Sequence, residues 1–306
     1  MTDWLHFKVL GKRLLAAAAL CVLGGCAKVD LSPHLQPLSK DTLMLLGKKG
    51  MDVPAPMFIR IFKEESELEV WKKRSDGRFY HLKTYPICNW SGELGPKVRQ
   101  GDKQAPEGFY KVARNQMNPN SQFYLAFNLG YPNAYDKANK RSGDSLMVHG
   151  KCKSAGCFAM TDALIEEIYA LARESYIGGQ EAIEVHAMPF RLTDTNMARH
   201  VKNKWFPFWQ TLKQGYDHFE QTRLTPDVAV CQRQYAVNVK LPGSQNMSRI
   251  DPEGACPTFE RPKFEAFVAL AGDATVAGGG VTSAKPATPR ANASADTSAG
   301  PSLQTP

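Results

Sequence analysis

The sequence lacks three features that would direct its interpretation elsewhere. It has no basic cluster interleaved with aromatic residues, so we do not expect it to bind nucleic acid despite a formal net charge of +8. It has no internal repeat, and no apolar run of the ~20 residues that a membrane-spanning helix needs. What remains, 306 residues of which 43% are hydrophobic and 22% charged, suits a soluble globular protein.

A shorter apolar run, Leu14 to Leu23, lies near the N-terminus, and we interpret it as the core of an export signal. The basic residues that precede it are Lys8, Lys12 and Arg13. The run ends in Leu23-Gly24-Gly25-Cys26, which resembles a bacterial lipobox, whose cysteine takes the lipid. We therefore predict a signal peptide over 1–25, lipidation of Cys26 and, since Ala27 rather than Asp follows, an outer-membrane anchor in the periplasm. An ordinary cleaved signal with a coincidental cysteine is the alternative.

The cysteine count points to an unpaired thiol. Of seven cysteines, Cys21 and Cys26 belong to the leader, and those that remain are Cys88, Cys152, Cys157, Cys231 and Cys256. Because the periplasm is oxidising, a thiol left over in an exported protein needs a reason, and catalysis is one. The sequence is compatible both with a disulfide between Cys231 and Cys256 and with free buried thiols at these positions.

Short strands and turns, rather than alternating strand and helix units, dominate the middle of the chain. The predicted strands lie at 57–62, 79–85, 109–112, 124–128, 145–149 and 182–186. The clearest helix begins at a cap, Thr161 or Asp162, carries apolar residues at helical spacing and ends at Gly178-Gly179. This pattern predicts a mixed α+β, sheet-rich fold.

Composition divides the chain further. Residues 26–54, which are punctuated by prolines, are predicted as a tether, and 55–195 as the main folded domain. Residues 196–271 are predicted as a helical, aromatic extension that packs onto the core and is interrupted by Pro207. The tail 272–306, rich in Ala, Gly, Thr, Ser and Pro, is predicted to be disordered.

The residues that carry chemistry lie between Val148 and Phe158, in the run V-H-G-K-C-K-S-A-G-C-F. A predicted strand delivers His149, and a short loop returns the Cys157 thiol to it. An imidazole can hold the proton of a thiol and stabilise the thiolate, which is the nucleophilic form. Gly156 lets an acyl carbon approach the sulfur, and the N–H groups around it could stabilise an oxyanion.

The residues alone leave other interpretations open. A cysteine in a loop and a histidine at a strand end are more often structural than catalytic. His149, Cys152 and Cys157 could bind zinc, although no fourth ligand has a recognisable spacing nearby. Cys152 and Cys157 could also form a disulfide, which would block the nucleophile.

This segment resembles the catalytic signature of the YkuD-type L,D-transpeptidases, in which His-Gly precedes Ser-x-Gly-Cys at the same separation. The YafK branch is the closer match, and its similar runs lie at 85–92, 95–97, 101–110, 117–121, 127–136 and 156–162. The resemblance covers about residues 55–195. There is one departure from the wider family. Most YkuD-type enzymes have Ile or Val and then Arg after the cysteine, whereas this chain has Phe158-Ala159, as is usual in the YafK branch.

The resemblance implies a β-sandwich or barrel-like core with flanking helices, and a thioester mechanism that needs no cofactor or metal. Cys157 would attack a carbonyl next to diaminopimelate in a peptidoglycan stem peptide. His149, oriented by a backbone carbonyl, would act as general base and then as general acid. An amine acceptor would give a crosslink and water would give hydrolysis. The YafK branch is associated with hydrolysis that releases a murein-bound lipoprotein.

Loop residues are predicted to line the substrate groove, namely Trp90, Asn128, Tyr131, Asn133 and Ser154. Packed turns are the alternative for such residues. A substrate carboxylate could meet Lys97, Arg99 or Lys103, and His186 is expected to be structural. A non-catalytic lipoprotein that binds peptidoglycan through the same groove is the competing function.

Overall fold

Two five-stranded sheets form the centre of the fold. In the computed structural model, the first sheet has the order β3-β2-β1-β10-β5 and contains β1 (Met57–Phe62), β2 (Glu67–Lys73), β3 (Phe79–Pro86), β5 (Gly108–Ala113) and β10 (Ala182–Met188). The second has the order β4-β9-β8-β7-β6 and contains β4 (Asn89–Trp90), β6 (Met117–Ser121), β7 (Tyr124–Asn128), β8 (Met147–His149) and β9 (Phe158–Ala159).

Both sheets are mixed. β1 runs parallel to β10, and β8 runs parallel to β9, while the other pairs are antiparallel. Side chains from the two sheets meet in one hydrophobic cluster, which includes Ile59 and Val70 from the first sheet and Phe127 and Val148 from the second. The predicted mixed, sheet-rich, sandwich-like fold is therefore confirmed.

The structure describes residues 31–239 and 250–259, which all belong to one unit of the chain, Met1–Phe267. The predicted signal peptide, Cys26 and the tail from residue 272 lie outside these residues. Among the helices described, none is both long enough and apolar enough to span a membrane.

Within the described ranges, five α-helices flank the sheets: α1 (Lys40–Lys48), α2 (Ala134–Ala138), α3 (Asp162–Ile177), α4 (Asp194–Arg199) and α5 (Phe206–Thr222). The predicted helix is α3, and its cap is Thr161, whose side chain accepts a hydrogen bond from the Leu164 N–H. The apolar face of α3 buries Ile165, Ile168 and Leu171 against both sheets.

The predicted tether differs from the structure between Leu38 and Met51. Ser39 caps α1, and Leu38, Leu46 and Met51 are buried in the main cluster. The Thr42 hydroxyl also donates a hydrogen bond of 2.8 Å to Glu167 of α3. The prolines of this segment lie outside α1, so they do not prevent a helix whose inner side joins the core.

The described part of the C-terminal extension is continuous with the catalytic domain. Pro207 lies in the first turn of α5, where a proline is tolerated, rather than interrupting the helix. Trp209 is fully buried in a second hydrophobic cluster that also contains Phe62, Phe109 and Met188 of the first sheet. The hairpin β11 (Val228–Cys231) and β12 (Gln234–Val237) completes this cluster.

Candidate active site

The Cys157 thiol is positioned by the parallel pair β8 and β9. In this pair Val148 lies beside Phe158 and His149 beside Ala159. Extending the same register by one residue toward the N-terminus places Cys157 beside Met147. The Met147 N–H donates to Sγ at 3.4 Å, and Sγ donates to the Ser145 carbonyl at 3.7 Å. Because residues two apart on a strand share a face, His149 and Cys157 lie on the same face of the second sheet.

The His149 ring is fixed in one tautomer. Its Nδ1 lies 2.6 Å from the Gly150 carbonyl oxygen, which can only accept, so Nδ1 carries the proton and Nε2 has the free lone pair. In the part of the chain that the structure describes, Nε2 has no hydrogen-bond partner. The ring is 3% exposed and packs against Phe123 at a centroid distance of 4.6 Å.

The two pKa shifts favour a neutral pair at rest. Burial raises the pKa of the Cys157 thiol, while the Met147 N–H and the charge of Lys97 oppose this rise. Burial lowers the pKa of His149, and the Gly150 carbonyl opposes that change. The sequence analysis expects imidazole to stabilise a thiolate, but the directions of these two shifts favour a neutral thiol beside a neutral imidazole.

The turn before Cys157 is organised by Ser154. Its Oγ donates to the Cys157 carbonyl at 2.7 Å, accepts from the Gly156 N–H at 3.2 Å and lies 3.1 Å from the Ser91 hydroxyl. These contacts occupy the side chain that we predicted to bind substrate. They also engage the Gly156 N–H that we predicted as an oxyanion donor, so in this structure both groups hold the turn.

Gly156 is required by the backbone as well as by space. Its φ is +127°, which L residues with a side chain rarely adopt. A Cβ at this position would lie 3.3 Å from Leu146 Cδ2 and 3.4 Å from the Gln104 carbonyl oxygen. The turn therefore packs closely against the loop that contains Gln104.

A buried ion pair anchors that loop, and the sequence analysis missed it. Lys63 and Glu107 are both 0% exposed and are joined by a contact of 2.9 Å. Lys63 Nζ also donates to the carbonyl oxygens of Glu93, Gly95 and Ala105. The signal available was a lysine at the end of an apolar strand, but its partner is 44 residues away and only the fold brings the two together.

Trp90 and Asn128 are brought beside the strands β9 and β8. Trp90 pairs with Phe158, the residue after Cys157, and Asn128 pairs with Met147. Both are half-buried. The indole N–H of Trp90 donates to Ser66 at 3.2 Å, and Asn128 Oδ1 accepts from the Gly130 N–H at 2.8 Å. Their position agrees with a groove, and their role in substrate binding stays a prediction.

Tyr131 and Asn133 are instead used by the fold. Tyr131 is 5% exposed and its hydroxyl donates to the Lys97 carbonyl at 3.3 Å. Asn133 caps α2 and donates to the Phe109 carbonyl at 2.9 Å. The sequence analysis took this Gly- and Pro-rich stretch for a loop, whereas in the structure the side chains that we expected to meet substrate cap a helix and pack against the core.

Lys97 is the cation whose charge acts on the thiol. It is 4% exposed, forms an ion pair of 2.5 Å with Asp102 and donates to the Arg99 carbonyl at 3.0 Å. Its Nζ is therefore committed to protein partners rather than free to meet a substrate carboxylate in this structure.

Two disulfides account for the cysteines other than Cys157 in the described part of the chain. Cys88 is bridged to Cys152, and Cys231 to Cys256, with Cα–Cα distances of 5.3 and 5.0 Å. Among the described residues, Cys157 is the free cysteine. Because Cys152 is bonded to Cys88, it is available neither as a zinc ligand nor for a disulfide with Cys157, two alternatives that the sequence left open. The Cys231–Cys256 pairing, also left open, is the one that forms.

The family of the chain follows from comparison with known proteins. Residues 56–184 match the L,D-transpeptidase catalytic domain, YkuD. The chain belongs to this family of enzymes. A relative from Escherichia coli (strain K12), "Putative L,D-transpeptidase YafK", is 48% identical over 187 residues, which cover 61% of this chain and 76% of the relative.

Two solved structures are more distant. The helical cell shape determining protein Pgp2 from Campylobacter jejuni aligns with a TM-score of 0.35 and 18% identity, over 64% of this chain and 80% of that chain. Bd1075 from Bdellovibrio bacteriovorus aligns with a TM-score of 0.31 and 17% identity, over 55% of this chain and 59% of that chain.

Proposed function

We propose that this chain is a cysteine acyl-transfer enzyme of peptidoglycan, in which Cys157 attacks a stem-peptide carbonyl next to a diaminopimelate residue. The observation that carries the proposal is His149: its Nδ1 is held by the Gly150 carbonyl, and its Nε2 is left as a base on the sheet face that also presents the thiol. Membership of the L,D-transpeptidase family supports the substrate class.

The acylation step uses the neutral pair. His149 Nε2 takes the proton of the thiol while Sγ bonds to the carbonyl carbon, and the departing amine then takes that proton as the thioester forms. Since burial disfavours a resting thiolate, proton transfer and attack occur together. The charge of Lys97 favours the negative charge that develops on sulfur.

The thioester can be resolved in two ways. Water gives hydrolysis, and the amine of a second stem peptide gives a crosslink; His149 acts as base toward either acceptor. We propose hydrolysis that releases a murein-bound lipoprotein. The sequence feature that supports it is Phe158-Ala159, which the chain shares with the YafK branch in place of the arginine found in most YkuD-type enzymes.

The direct test is Cys157→Ala assayed on muropeptides and on murein with attached lipoprotein, with products identified by mass spectrometry. We expect cleavage and crosslinking to be lost, because no other free thiol exists among the described residues. Thermal unfolding of the same variant should match the parent protein, which would show that the fold is intact. Undiminished product formation by Cys157→Ala would overturn the assignment of Cys157 as nucleophile. If the wild-type enzyme gives crosslinked products in place of released lipoprotein, hydrolysis alone is overturned.

The anchor is a separate proposal. We propose that Cys26 is lipidated after removal of residues 1–25 and holds the enzyme at the periplasmic face of the outer membrane. Growth with a fatty-acid analogue should label the wild-type protein but not Cys26→Ser, and the label should fractionate with outer membranes. An unlabelled wild-type protein of full activity would contradict the anchor and leave the chemistry untouched.

A further inference from the structure

Cys152 lies inside the catalytic loop, three positions after His149 and five before Cys157. It follows Lys151, and both residues have a left-handed backbone, with φ of +48° and +63° respectively. Residues with a Cβ seldom adopt this region, and two in succession persist only where the surrounding structure imposes it. Something outside the loop must therefore hold this conformation.

The cross-link to Cys88 is the strongest of the contacts that hold it. Cys88 lies between β3 and β4, so the bridge ties the catalytic loop to a strand that also pairs with β9. The other contacts are hydrogen bonds. The Lys151 N–H donates to Asp162 at 2.8 Å, Lys151 Nζ to the Gln122 carbonyl at 2.7 Å, and the Cys152 N–H to the Met160 carbonyl at 3.2 Å.

Removal of Cys88 would leave two thiols in one short loop. A chain segment of five residues closes at little entropic cost, and a disulfide forms once the Cα atoms come within about 7 Å. The loop must move for this, because Cys152 lies next to Met160 while Cys157 lies next to Met147. Release of the left-handed residues would favour that movement.

We propose that Cys88 is a positioning residue that keeps the nucleophile reduced: by pairing with Cys152, it prevents a Cys152–Cys157 bridge in an oxidising compartment. The inference rests on the proposed role of Cys157. A purely structural role would predict that activity is lost because the cross-link is missing. Here the loss of activity in a Cys88 variant is instead caused by the freed thiol of Cys152.

The reaction that Cys88 prevents is an oxidation by a small-molecule disulfide, for which oxidised glutathione serves as the probe. The thiolate of Cys152 attacks the glutathione disulfide, forming a mixed disulfide and releasing one glutathione thiol. The thiolate of Cys157 then attacks Sγ of Cys152 and releases the second glutathione thiol. Two protein thiols lose two protons and two electrons, and one glutathione disulfide is reduced to two thiols.

The test compares Cys88→Ser with Cys88→Ser/Cys152→Ser, and Cys231→Ser/Cys256→Ser is the control for loss of a disulfide elsewhere. After exposure to oxidised glutathione, we expect the single variant to be at least about tenfold less active than the Cys88→Ser/Cys152→Ser variant, and a dithiol reductant to restore it. The activity of the two double variants should fall far less on the same exposure, because Cys157 then has no neighbouring thiol with which to pair. Equal activity of the single and double catalytic-loop variants without reductant would overturn the proposal.

Disulfide mapping by mass spectrometry separates this inference from the proposed function. The single variant should yield a Cys152–Cys157 peptide whether or not Cys157 is the nucleophile, and absence of that peptide would contradict the proposal. If the single variant does not fold, wild-type protein that is reduced and then reoxidised in glutathione gives the same information. We expect the Cys88–Cys152 pairing with Cys157 still open to thiol reagents, and a predominant Cys152–Cys157 pairing would contradict the guarding role.

Discussion

His149 and His186 are both buried histidines on strands, yet they lie in opposite environments. His149 is held through Nδ1 by a carbonyl, and its Nε2 has no hydrogen-bond partner among the described residues. His186, on β10, has its Nε2 3.5 Å from Glu184, and its Nδ1 has no hydrogen-bond partner among the described residues. Its ring lies between Phe58 and Phe109, at centroid distances of 4.6 and 4.8 Å.

The difference teaches which buried histidine can act as a base. Burial lowers the pKa of both, so burial and pKa do not distinguish them. What distinguishes the two rings is which nitrogen is held by a partner, Nδ1 in His149 and Nε2 in His186, and what surrounds the remaining nitrogen. His149 has a neutral orienting partner and shares a sheet face with the Cys157 thiol, whereas His186 has an acidic partner and lies between two aromatic rings. The expectation that His186 is structural agrees with this environment.

The largest expected effect is loss of the base. In His149→Ala, turnover on muropeptides should fall by about 10²–10⁴-fold, which is the usual contribution of a general base. The thermal midpoint should also fall, because the buried ring packs against Phe123, so turnover is compared at a temperature at which the variant is folded. Steady-state kinetics and thermal unfolding measure the two effects. Wild-type turnover in this variant would show that another group accepts the proton.

Gly150→Ala should disturb the same base indirectly. The new Cβ would lie 2.5 Å from Asp162 Oδ1 and 2.9 Å from the Phe123 carbonyl oxygen, so the carbonyl that orients His149 must shift. A shift of this kind can lower turnover by up to about 10²-fold. Gly47→Ala is the matched control, since a Cβ there meets no atom within 4 Å. Equal kinetics of the two alanine variants would contradict the orienting role.

His186→Ala should lower the stability of the fold without lowering turnover. Loss of the ring from between Phe58 and Phe109 leaves a cavity, and we expect the free energy of unfolding to fall by about 1–3 kcal/mol. Turnover by the folded fraction should stay near that of the parent. Denaturant titration and kinetics at a temperature below unfolding provide the measurement. A large loss of turnover in folded protein would make His186 part of the site.

The smallest effect is on the pH dependence of stability. The folded-state pKa of both histidines is lowered, so the unfolded state binds more protons as the pH falls below about 6.5. Stability should therefore decrease as the pH falls from about 6.5 toward the lower folded-state pKa values, and be fully present above this range. Replacing either histidine with glutamine should reduce the slope. An unchanged slope in both variants would contradict the lowered pKa values.

The sequence predicted the parts of the site whose chemistry is local. The strand that ends at His149, the glycine before Cys157 and the cap of α3 at Thr161 each depend on neighbours within a few residues. The roles of Asn133 and Tyr131 were not predictable in this way. Asn133 caps a helix and the Tyr131 hydroxyl is buried, and only the tertiary contacts of these side chains distinguish such roles from groove lining.

Long-range partners account for most of the rest. The pairing of Cys88 with Cys152 spans 64 residues, and the pairing of Lys63 with Glu107 spans 44. No local signal identifies the partner in either pair, since the topology of the sheets decides which loops meet. Helix α1 was missed for a related reason: its burial of Leu46 depends on the main cluster rather than on its own short apolar pattern.

The most direct measurement is to trap the acyl-enzyme. Wild-type protein mixed with a diaminopimelate-containing tetrapeptide donor, quenched in acid and digested, should carry the acyl mass on the peptide that contains Cys157. The same adduct should form far more slowly in His149→Ala. Turnover that proceeds without any adduct on Cys157, or with the acyl group on another residue, would contradict the mechanism.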